Sequence, residues 1–237
     1  MKTFAIGKQE LSLSAIQEII ESKASIALSP EAEEKIKACR AFLDQKMAKN
    51  SEPIYGINTG FGYLQNIKVS DDQLIDLQHN LLLSHACGTG EFVPQEVVKL
   101  MLLLKIQSLA YGHSGVALET AELLVAFYNK NIVPVIYTQG SLGASGDLAP
   151  LAHLALPLIG EGEVWEGNKR VDAKTVLKKS QSLSNLQTGS VYDYALWMFV
   201  GVLTLIVGFH VWESVLFQID PSLLFIFFIT ILFSVKK

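Results

Sequence analysis

Apolar residues in the first 180 positions recur mainly at the spacing of one helical face, which predicts a mainly α-helical fold. In the first such segment one face is formed by Leu13, Ile16, Ile19 and Ile20. Ser29 followed by Pro30 is typical of an N-cap and a first helical residue. Further helices are predicted to begin at the following points: the capping box Ser70-Asp71-Asp72-Gln73, Pro94, residue 116 and residue 147.

Extended segments and loops interrupt this helical pattern. Residues 131–137 are rich in β-branched side chains and predict an extended segment. The stretch from Glu163 to Arg170, with Gly167-Asn168 at its centre, predicts a small hairpin. Glycines at 54–66, and again at 140–146, predict loops. The expected fold is therefore helical with a small β element.

Beyond residue 180 the composition changes. The chain has 19 basic and 23 acidic residues. Those that follow Ser180 are Asp193, Glu213, Asp220, Lys236 and Lys237. Two apolar runs, 194–212 and 222–235, fill most of this tail, and a membrane span or a buried core helix would each show such a pattern. We therefore predict two parts, 1–180 and 181–237, the second being an apolar helical tail that either crosses a membrane through 194–235 or packs in a core.

Charge, cysteines and histidines argue against several classes of site. The net charge is −4 and the basic residues form no stripe, so no nucleic-acid partner is expected. Cys39 and Cys87 lie in unrelated contexts, so no disulfide framework is expected. The first residues include no apolar run of signal-peptide length, so a cytoplasmic protein is expected. No metal site is expected, because zinc-type spacing is absent among the candidate ligands His79, His85, Cys87, His113 and His153.

The glycine-rich segment from Gly140 to Leu151 fits none of three familiar glycine loops. It lacks the Gly-Lys-Ser/Thr of a phosphate-binding loop, the G-x-G-x-x-G of a dinucleotide site and the G-x-S-x-G of a nucleophile elbow. A flexible turn is the simplest interpretation. Ala144-Ser145-Gly146 nevertheless offers a second chemistry, because this tripeptide can cyclise.

In that cyclisation the amide nitrogen of Gly146 attacks the carbonyl carbon of Ala144. Loss of one water from the ring and one from Ser145 leaves a methylidene-imidazolone, which is a strong electrophile. Glycine leaves the attacking nitrogen unhindered and allows the backbone angles that ring closure requires. Serine supplies the hydroxyl that is eliminated. The tripeptide alone does not choose between this chemistry and a turn.

Three segments resemble motifs of one enzyme family. Gly140 to Ala155 resembles the signature of the aromatic amino-acid ammonia-lyases. Tyr55-Gly56-Ile57-Asn58-Thr59-Gly60-Phe61-Gly62 resembles their active-site loop, and Leu83-Ser84-His85-Ala86-Cys87-Gly88 resembles the substrate-selectivity segment of the histidine ammonia-lyase branch. The resemblance covers about residues 10–180. It implies the N-terminal part of the helical ammonia-lyase fold, which is like that of fumarase and aspartase, and a homotetramer in full-length members.

The resemblance also implies an activity and a prosthetic group. Ala144, Ser145 and Gly146 would form the methylidene-imidazolone, so no external cofactor is expected. The substrate's amino group would add to it and leave as ammonia, a case of covalent catalysis in which the protein is the electrophile. In the histidine branch the reaction converts L-histidine, a small-molecule substrate, to trans-urocanate.

Four further residues receive roles by the same resemblance. Tyr55 is the candidate acid/base, and His85 would contact the substrate side chain. Asn58 and Gly62 belong to the active-site loop and receive no sharper role. Outside these motifs, Tyr55 would be an ordinary packing residue and His85 an ordinary core histidine.

Substrate choice stays open at this level. Tyrosine and phenylalanine ammonia-lyases share the first two motifs, and aminomutases of the family are a more distant alternative. The pair Ser84-His85 favours histidine, but tyrosine-specific members also carry a histidine here.

The resemblance ends near Lys179. The family continues with a Glu-Gly-Leu-Ala-Leu-x-Asn-Gly-Thr segment, which this chain lacks. A frameshift, a faulty gene assembly or a membrane-tethered product would each explain the apolar tail, and the last implies a non-enzymatic, membrane-associated protein. We expect this chain to be a fragment that is not a competent lyase.

Overall fold

Helices make up most of the chain that this computed structural model describes, which comprises residues 3–8, 10–49, 52–143 and 146–179. The α-helices are α1 Leu13–Glu21, α2 Pro30–Lys49, α3 Leu74–His85, α4 Gln95–Ala110, α5 Leu118–Asn129, α6 Ala149–Ala155 and α7 Ala173–Lys179. The strands are β1 Thr3–Ile6, β2 Ser25–Leu28, β3 Thr89–Phe92, β4 Val133–Pro134, β5 Tyr137–Gln139, β6 Glu163–Glu166 and β7 Lys169–Asp172. The tail predicted for 181–237 lies outside the described residues.

The core forms where α4 packs against α5. Leu102, Leu103 and Ile106 of α4 and Leu124 of α5 are all buried. Each such side chain stabilises the fold by about 1.5–3 kcal/mol through loss of apolar surface from water. Helix α2 and the strands β1 and β2 pack on the same core. The helices predicted from Pro94 and from near residue 116 are thus confirmed.

A parallel strand pair at the start of the chain was not predicted from the sequence. β1 pairs with β2 from Thr3↔Ser25 to Ile6↔Leu28, and α1 forms the crossover between them. The side-chain amide of Asn129, at the end of α5, extends this pairing. It donates to the carbonyl of Ile26 at 2.8 Å and accepts from the N–H of Ile26 at 2.8 Å.

Two small antiparallel sheets hold the second half of the described chain together. β3 pairs with β5, with Thr89 opposite Gln139. β4, β6 and β7 form the other sheet in that order. The hairpin predicted around Gly167-Asn168 is confirmed by the β6–β7 register Glu166↔Lys169. The extended segment predicted at 131–137 corresponds to β4 and to the first residue of β5.

Helix starts follow the sequence in one case and depart from it in another. The Ser29 hydroxyl oxygen accepts from the N–H of Ala32 at 3.1 Å, so the predicted cap of α2 is confirmed. The capping box predicted at Ser70 is wrong, because the Ser70 hydroxyl donates to the side chain of Gln73 at 3.1 Å. A 3₁₀ turn, Asp71–Gln73, intervenes before α3.

Other departures are local. Leu13 and Ile20 were predicted to share the inner face of α1 with Ile19, which is buried, but both are exposed, at 85% and 49%. Leu13 is the first residue of the helix. The predicted 54–66 loop contains a 3₁₀ turn, Gly62–Leu64. The helix predicted at 147–159 divides into α6 and a 3₁₀ turn, Leu156–Ile159. No helix of the described ranges is both long and apolar enough to cross a membrane.

Candidate active site

The segment 52–69, here called the Tyr55 loop, is built around a buried asparagine. Asn58 is 0% exposed. Its side-chain oxygen accepts from the N–H of Ile54 at 2.6 Å, and its amide donates to the carbonyl of Glu52 at 3.3 Å. Its backbone carbonyl accepts from the N–H of Val69 at 2.8 Å. Asn58 therefore binds the start of the loop through its side chain and the end of the loop through its backbone carbonyl, and both polar atoms of its buried amide have the partners that burial requires.

Tyr55 stands on this turn with its side chain 59% exposed. Its ring packs against Phe61 with 5.6 Å between centroids. Its hydroxyl oxygen accepts from the N–H of Gly62 at 3.4 Å, which leaves the phenol proton available for another group. Gly62 has φ +58°, a left-handed conformation that favours glycine.

Two contacts attach the Tyr55 loop to helix α3. The Gln78 side-chain amide donates to the carbonyls of Gly56 and Ile57, at 3.2 and 2.9 Å. The Phe61 ring meets the His85 ring edge to face, with 5.4 Å between centroids. Gln78 and His85 are seven residues apart and so lie on the same face of α3. Tyr55 and His85 therefore both pack against the Phe61 ring.

His85, the last residue of α3, is half-buried. Its Nδ1 lies 2.6 Å from the carbonyl oxygen of Leu81 and 3.2 Å from the Ser84 hydroxyl. A carbonyl can only accept, so the bond to Leu81 places a proton on Nδ1. In the neutral ring Nε2 then carries the lone pair and can accept a hydrogen bond from a ligand.

The segment 140–148, here called the glycine loop, is closed by the carboxylate of Asp147. Its Oδ1 accepts from the N–H of Ser141 at 2.7 Å, from the N–H of Ala149 at 3.1 Å and from the Ser141 hydroxyl at 3.2 Å. These donors, led by the Ser141 N–H, hold the pKa of Asp147 below its ordinary value. A Cβ at Gly140 would overlap the carboxylate, so only glycine allows this approach.

Ala144 and Ser145 lie outside the described residues, but Gly146, the third residue of the tripeptide, is described. Gly146 has φ +87°, and its N–H donates to the carbonyl of Gly143 at 3.0 Å. L side chains rarely adopt this conformation, which fits the glycine that cyclisation would require. The described residues on either side of Ala144-Ser145 are thus held close together.

Three connections join the His85 end of α3 to the glycine loop. Thr89, four residues after His85, pairs with Gln139, which directly precedes the loop. Helix α6, which directly follows the loop, packs against α3. The third connection is a hydrogen bond from the N–H of Gly88 to His153 Nε2, at 2.9 Å. Among the described residues, no three His, Cys, Asp or Glu side chains converge as a metal site would require.

Sequence reasoning assigned no role to four residues that build this arrangement. Gln78 lies between two quoted motifs, while Phe61, Asp147 and His153 lie inside them without a stated role. Asp147 was the most accessible of the four, because an acid directly after a glycine turn often binds the turn's N–H groups. No local pattern shows that Gln78 or His153 reaches a distant backbone group.

The whole described arrangement matches known proteins. The family model for aromatic amino acid lyases matches residues 11–189. This chain belongs to the aromatic amino acid lyase family. Two relatives are histidine ammonia-lyases: that of Legionella pneumophila (strain Corby) is 47% identical over 175 residues, 74% of this chain and 34% of the relative. That of Deinococcus radiodurans is 46% identical over 180 residues, 76% of this chain and 34% of the relative.

Solved structures of the aromatic amino acid lyase family agree with the fold. Histidine ammonia-lyase from Trypanosoma cruzi matches with a TM-score of 0.66 at 36% identity, over 76% of this chain and 34% of that one. Tyrosine aminomutase from Streptomyces globisporus matches with a TM-score of 0.68 at 30% identity, over 75% of this chain and 33% of that one. The predicted ammonia-lyase fold is therefore confirmed for the described part. The chain spans about a third of the length of the curated relatives that it matches.

Proposed function

We propose that this chain carries the electrophile-forming part of a histidine ammonia-lyase, an enzyme that converts L-histidine to trans-urocanate and ammonia. The observation that carries the proposal is the junction of the glycine loop with the His85 end of α3, through Thr89–Gln139 and Gly88–His153. Because of this junction, an electrophile formed in the loop would lie near a side chain that can select the substrate. Identity of 47% to a histidine ammonia-lyase supports the choice of enzyme.

Ala144, Ser145 and Gly146 would form the methylidene-imidazolone. When formed, this group supplies the electrophilic carbon to which an amino group adds. Asp147 bonds to Ser141 and Ala149, on either side of this tripeptide, and so holds the two flanks of the glycine loop together. We expect no external cofactor.

Tyr55 would hold or move a proton at its phenol oxygen. The Gly62 N–H donates to that oxygen, so the backbone orients the phenol without using its proton, which can then be donated to another group. Phe61 and Asn58 fix the loop from which Tyr55 projects. Asn58 therefore acts through the loop's shape, and Gly62 acts through its N–H.

His85 would bind the side chain of the substrate. Its Nδ1 proton is committed to the Leu81 carbonyl, so Nε2 accepts a hydrogen bond from the N–H of a substrate imidazole. A phenol O–H would satisfy the same atom, so this geometry alone serves tyrosine also. The histidine ammonia-lyase relatives favour L-histidine.

The chain alone is proposed not to sustain turnover, because it spans 34% of such relatives and the rest of their length has no counterpart in its match. Assembly as a homotetramer and a cytoplasmic location are proposed only on the resemblance to the family. The division into 1–180 and 181–237 stays a prediction.

Intact-mass analysis of the purified chain tests the proposal. We expect a mass deficit of two water molecules that maps to the peptide with Ala144, Ser145 and Gly146. Ser145→Ala is the matched control, since alanine has no hydroxyl to eliminate. Absence of the deficit from the parent chain would overturn the proposal.

Turnover is tested by a urocanate absorbance assay. The parent chain should show no steady formation of urocanate from L-histidine. A chimera in which the remaining length of the Legionella pneumophila relative follows residue 179 should turn over L-histidine in preference to L-tyrosine. Preference for L-tyrosine would instead favour the tyrosine alternative.

A further inference from the structure

His153, on α6, has no role in the proposed reaction, yet it joins two segments of the site. Its Nε2 accepts from the N–H of Gly88 at 2.9 Å. Its ring packs against Tyr137 of β5, with 5.2 Å between centroids. It is half-buried, and burial lowers its pKa, which favours the neutral ring that has a lone pair to accept this bond.

The backbone at Gly88 is shaped to receive this imidazole. A Cβ at Gly88 would lie 2.9 Å from Nε2 of His153, 3.1 Å from Cδ2 of the same ring and 3.2 Å from Cβ of Tyr137. A side chain at position 88 would therefore push the ring away. The close approach of the two groups depends on the missing Cβ of Gly88 and on the flat imidazole ring of His153.

Gly88 and His153 lie beside two different parts of the candidate site, the proposed substrate-binding residue and the glycine loop. Gly88 follows His85 by three residues, in the short link between α3 and β3. His153 follows Gly146 by seven residues, on the helix that begins at Ala149, where Asp147 binds. The helical hydrogen bonds of α3 end with the Ala86 N–H, which bonds to Leu82, so the Gly88 N–H has its bond outside the helix.

We propose that His153 is a positioning residue, which by accepting a hydrogen bond from Gly88 fixes His85 relative to the glycine loop. This proposal rests on the proposed function, because only there does the position of His85 relative to the glycine loop matter for activity. The hydrogen bond from Gly88 to His153 can be measured whether or not the chain has that function. An acceptor at position 153 is the essential feature. A ring without a lone pair would keep the packing on Tyr137 and lose the positioning.

The test compares His153→Phe with His153→Gln in the full chain by NMR. The first variant keeps a flat ring and removes the acceptor, and the second keeps an acceptor. In His153→Phe the Gly88 amide should exchange about fivefold faster, since a net hydrogen bond is worth about 1 kcal/mol. The His85 ring resonances should also shift, because the edge-to-face contact with Phe61 makes them sensitive to displacement. His153→Gln should restore both signals at least in part.

His113→Phe is the control, because this exposed histidine lies in the turn between α4 and α5. It should leave the Gly88 and His85 signals unchanged. Imidazole-nitrogen shifts of the parent chain keep the proposal falsifiable if the variants fail to fold, since a proton found on Nε2 of His153 would overturn it. Unchanged Gly88 exchange and His85 signals in folded His153→Phe would overturn it as well. The mass deficit at Ala144–Gly146, measured on the same samples, reports separately on the proposed function.

Discussion

The Tyr55 loop and the glycine loop serve one site but are held in opposite ways. The Tyr55 loop is supported from inside. The buried Asn58 bonds to the start of the loop through its side chain and to Val69 at the end through its backbone carbonyl, and Thr59 beside it is also buried. The glycine loop is supported from outside, by the exposed carboxylate of Asp147 bonded to its two flanks.

This difference matches what each loop must do. A loop that presents a side chain to a substrate needs a fixed backbone, because a misplaced acid or base transfers protons poorly. A loop whose own backbone must cyclise needs fixed ends and an unobstructed interior. Gly146 satisfies the second requirement, since a Cβ placed there would meet no described atom within 4 Å. Substitutions in the glycine loop should therefore change the rate of electrophile formation, and substitutions in the Tyr55 loop should change the free energy of unfolding.

The largest effect is expected from Asp147→Ala on formation of the electrophile. Loss of the carboxylate frees Ser141 and Ala149, so the two flanks of the loop separate more readily. The mass deficit of two waters should accumulate at least about tenfold more slowly, the factor that corresponds to loss of about one charge-assisted hydrogen bond. The melting temperature should change little, because the side chain is exposed. Asp147→Asn keeps an acceptor oxygen, so its rate of electrophile formation should fall between those of the parent chain and Asp147→Ala.

An unchanged rate in Asp147→Ala would show that the loop closes without this carboxylate. The glycine loop would then not depend on Asp147 for its support, although the contrast between the two loops requires that it does.

Asn58→Ala should produce the reverse result. Removal of this buried amide leaves the Ile54 N–H without its partner, and an unsatisfied buried group costs about 1–3 kcal/mol. The free energy of unfolding, measured with urea, should fall by about 2 kcal/mol, while the mass deficit at Ala144–Gly146 still forms. Asn66→Ala, at an exposed position of the same loop, is the matched control and should be nearly neutral. Equal losses from the two variants would show that Asn58 does not support the loop.

The junction of the glycine loop with the His85 end of α3 should respond to pH through His153. Burial lowers the pKa of its folded-state imidazole below the ordinary 6.5, so the unfolded chain binds a proton more readily than the folded chain. Stability from this group is therefore complete above about pH 6.5 and is lost as the pH falls through the folded pKa. Because the ring is only half-buried, the slope should stay well below that of one full proton.

Urea unfolding of the parent chain and of His153→Gln between pH 5 and pH 8 measures this effect. The variant should lose the part of the decline that belongs to His153. Identical dependence of unfolding free energy on pH in the two proteins would show that the half-buried imidazole of His153 does not contribute to the decline in this range.

How far the sequence predicts this molecule depends on the range of the contacts involved. The Ser29 cap and the Gly167-Asn168 hairpin were predicted correctly because their signals are local. The capping box at Ser70 failed because the side chain of Gln73 offers the serine hydroxyl a competing partner. The β1–β2 pair was missed because two four-residue parallel strands carry no period of their own and depend on α1 and Asn129 to meet.

The site shows the same division. Gly140 and Gly146 could be identified as turn residues from their motif, and both occupy close-packed or left-handed backbone positions. Their chemistry came from a resemblance. The links through Gln78 and His153 join residues that lie 21 and 65 positions apart in sequence, so only the folded chain displays them.

Gln78→Ala should have the smallest effect and the one that best isolates the attachment of the Tyr55 loop to α3. Its side-chain amide donates to Gly56 and Ile57 at an exposed site, so its loss should cost about 0.5–1.5 kcal/mol of unfolding free energy. The Gly62 amide, which is bonded to the Tyr55 hydroxyl, should also exchange faster. Of the two contacts described between the loop and α3, the variant keeps the Phe61–His85 contact and loses the other. Gln17→Ala is the matched control, because that glutamine is also exposed but bonds to Glu21 within its own helix. If both variants leave Gly62 exchange unchanged, Gln78 does not hold the Tyr55 loop against α3.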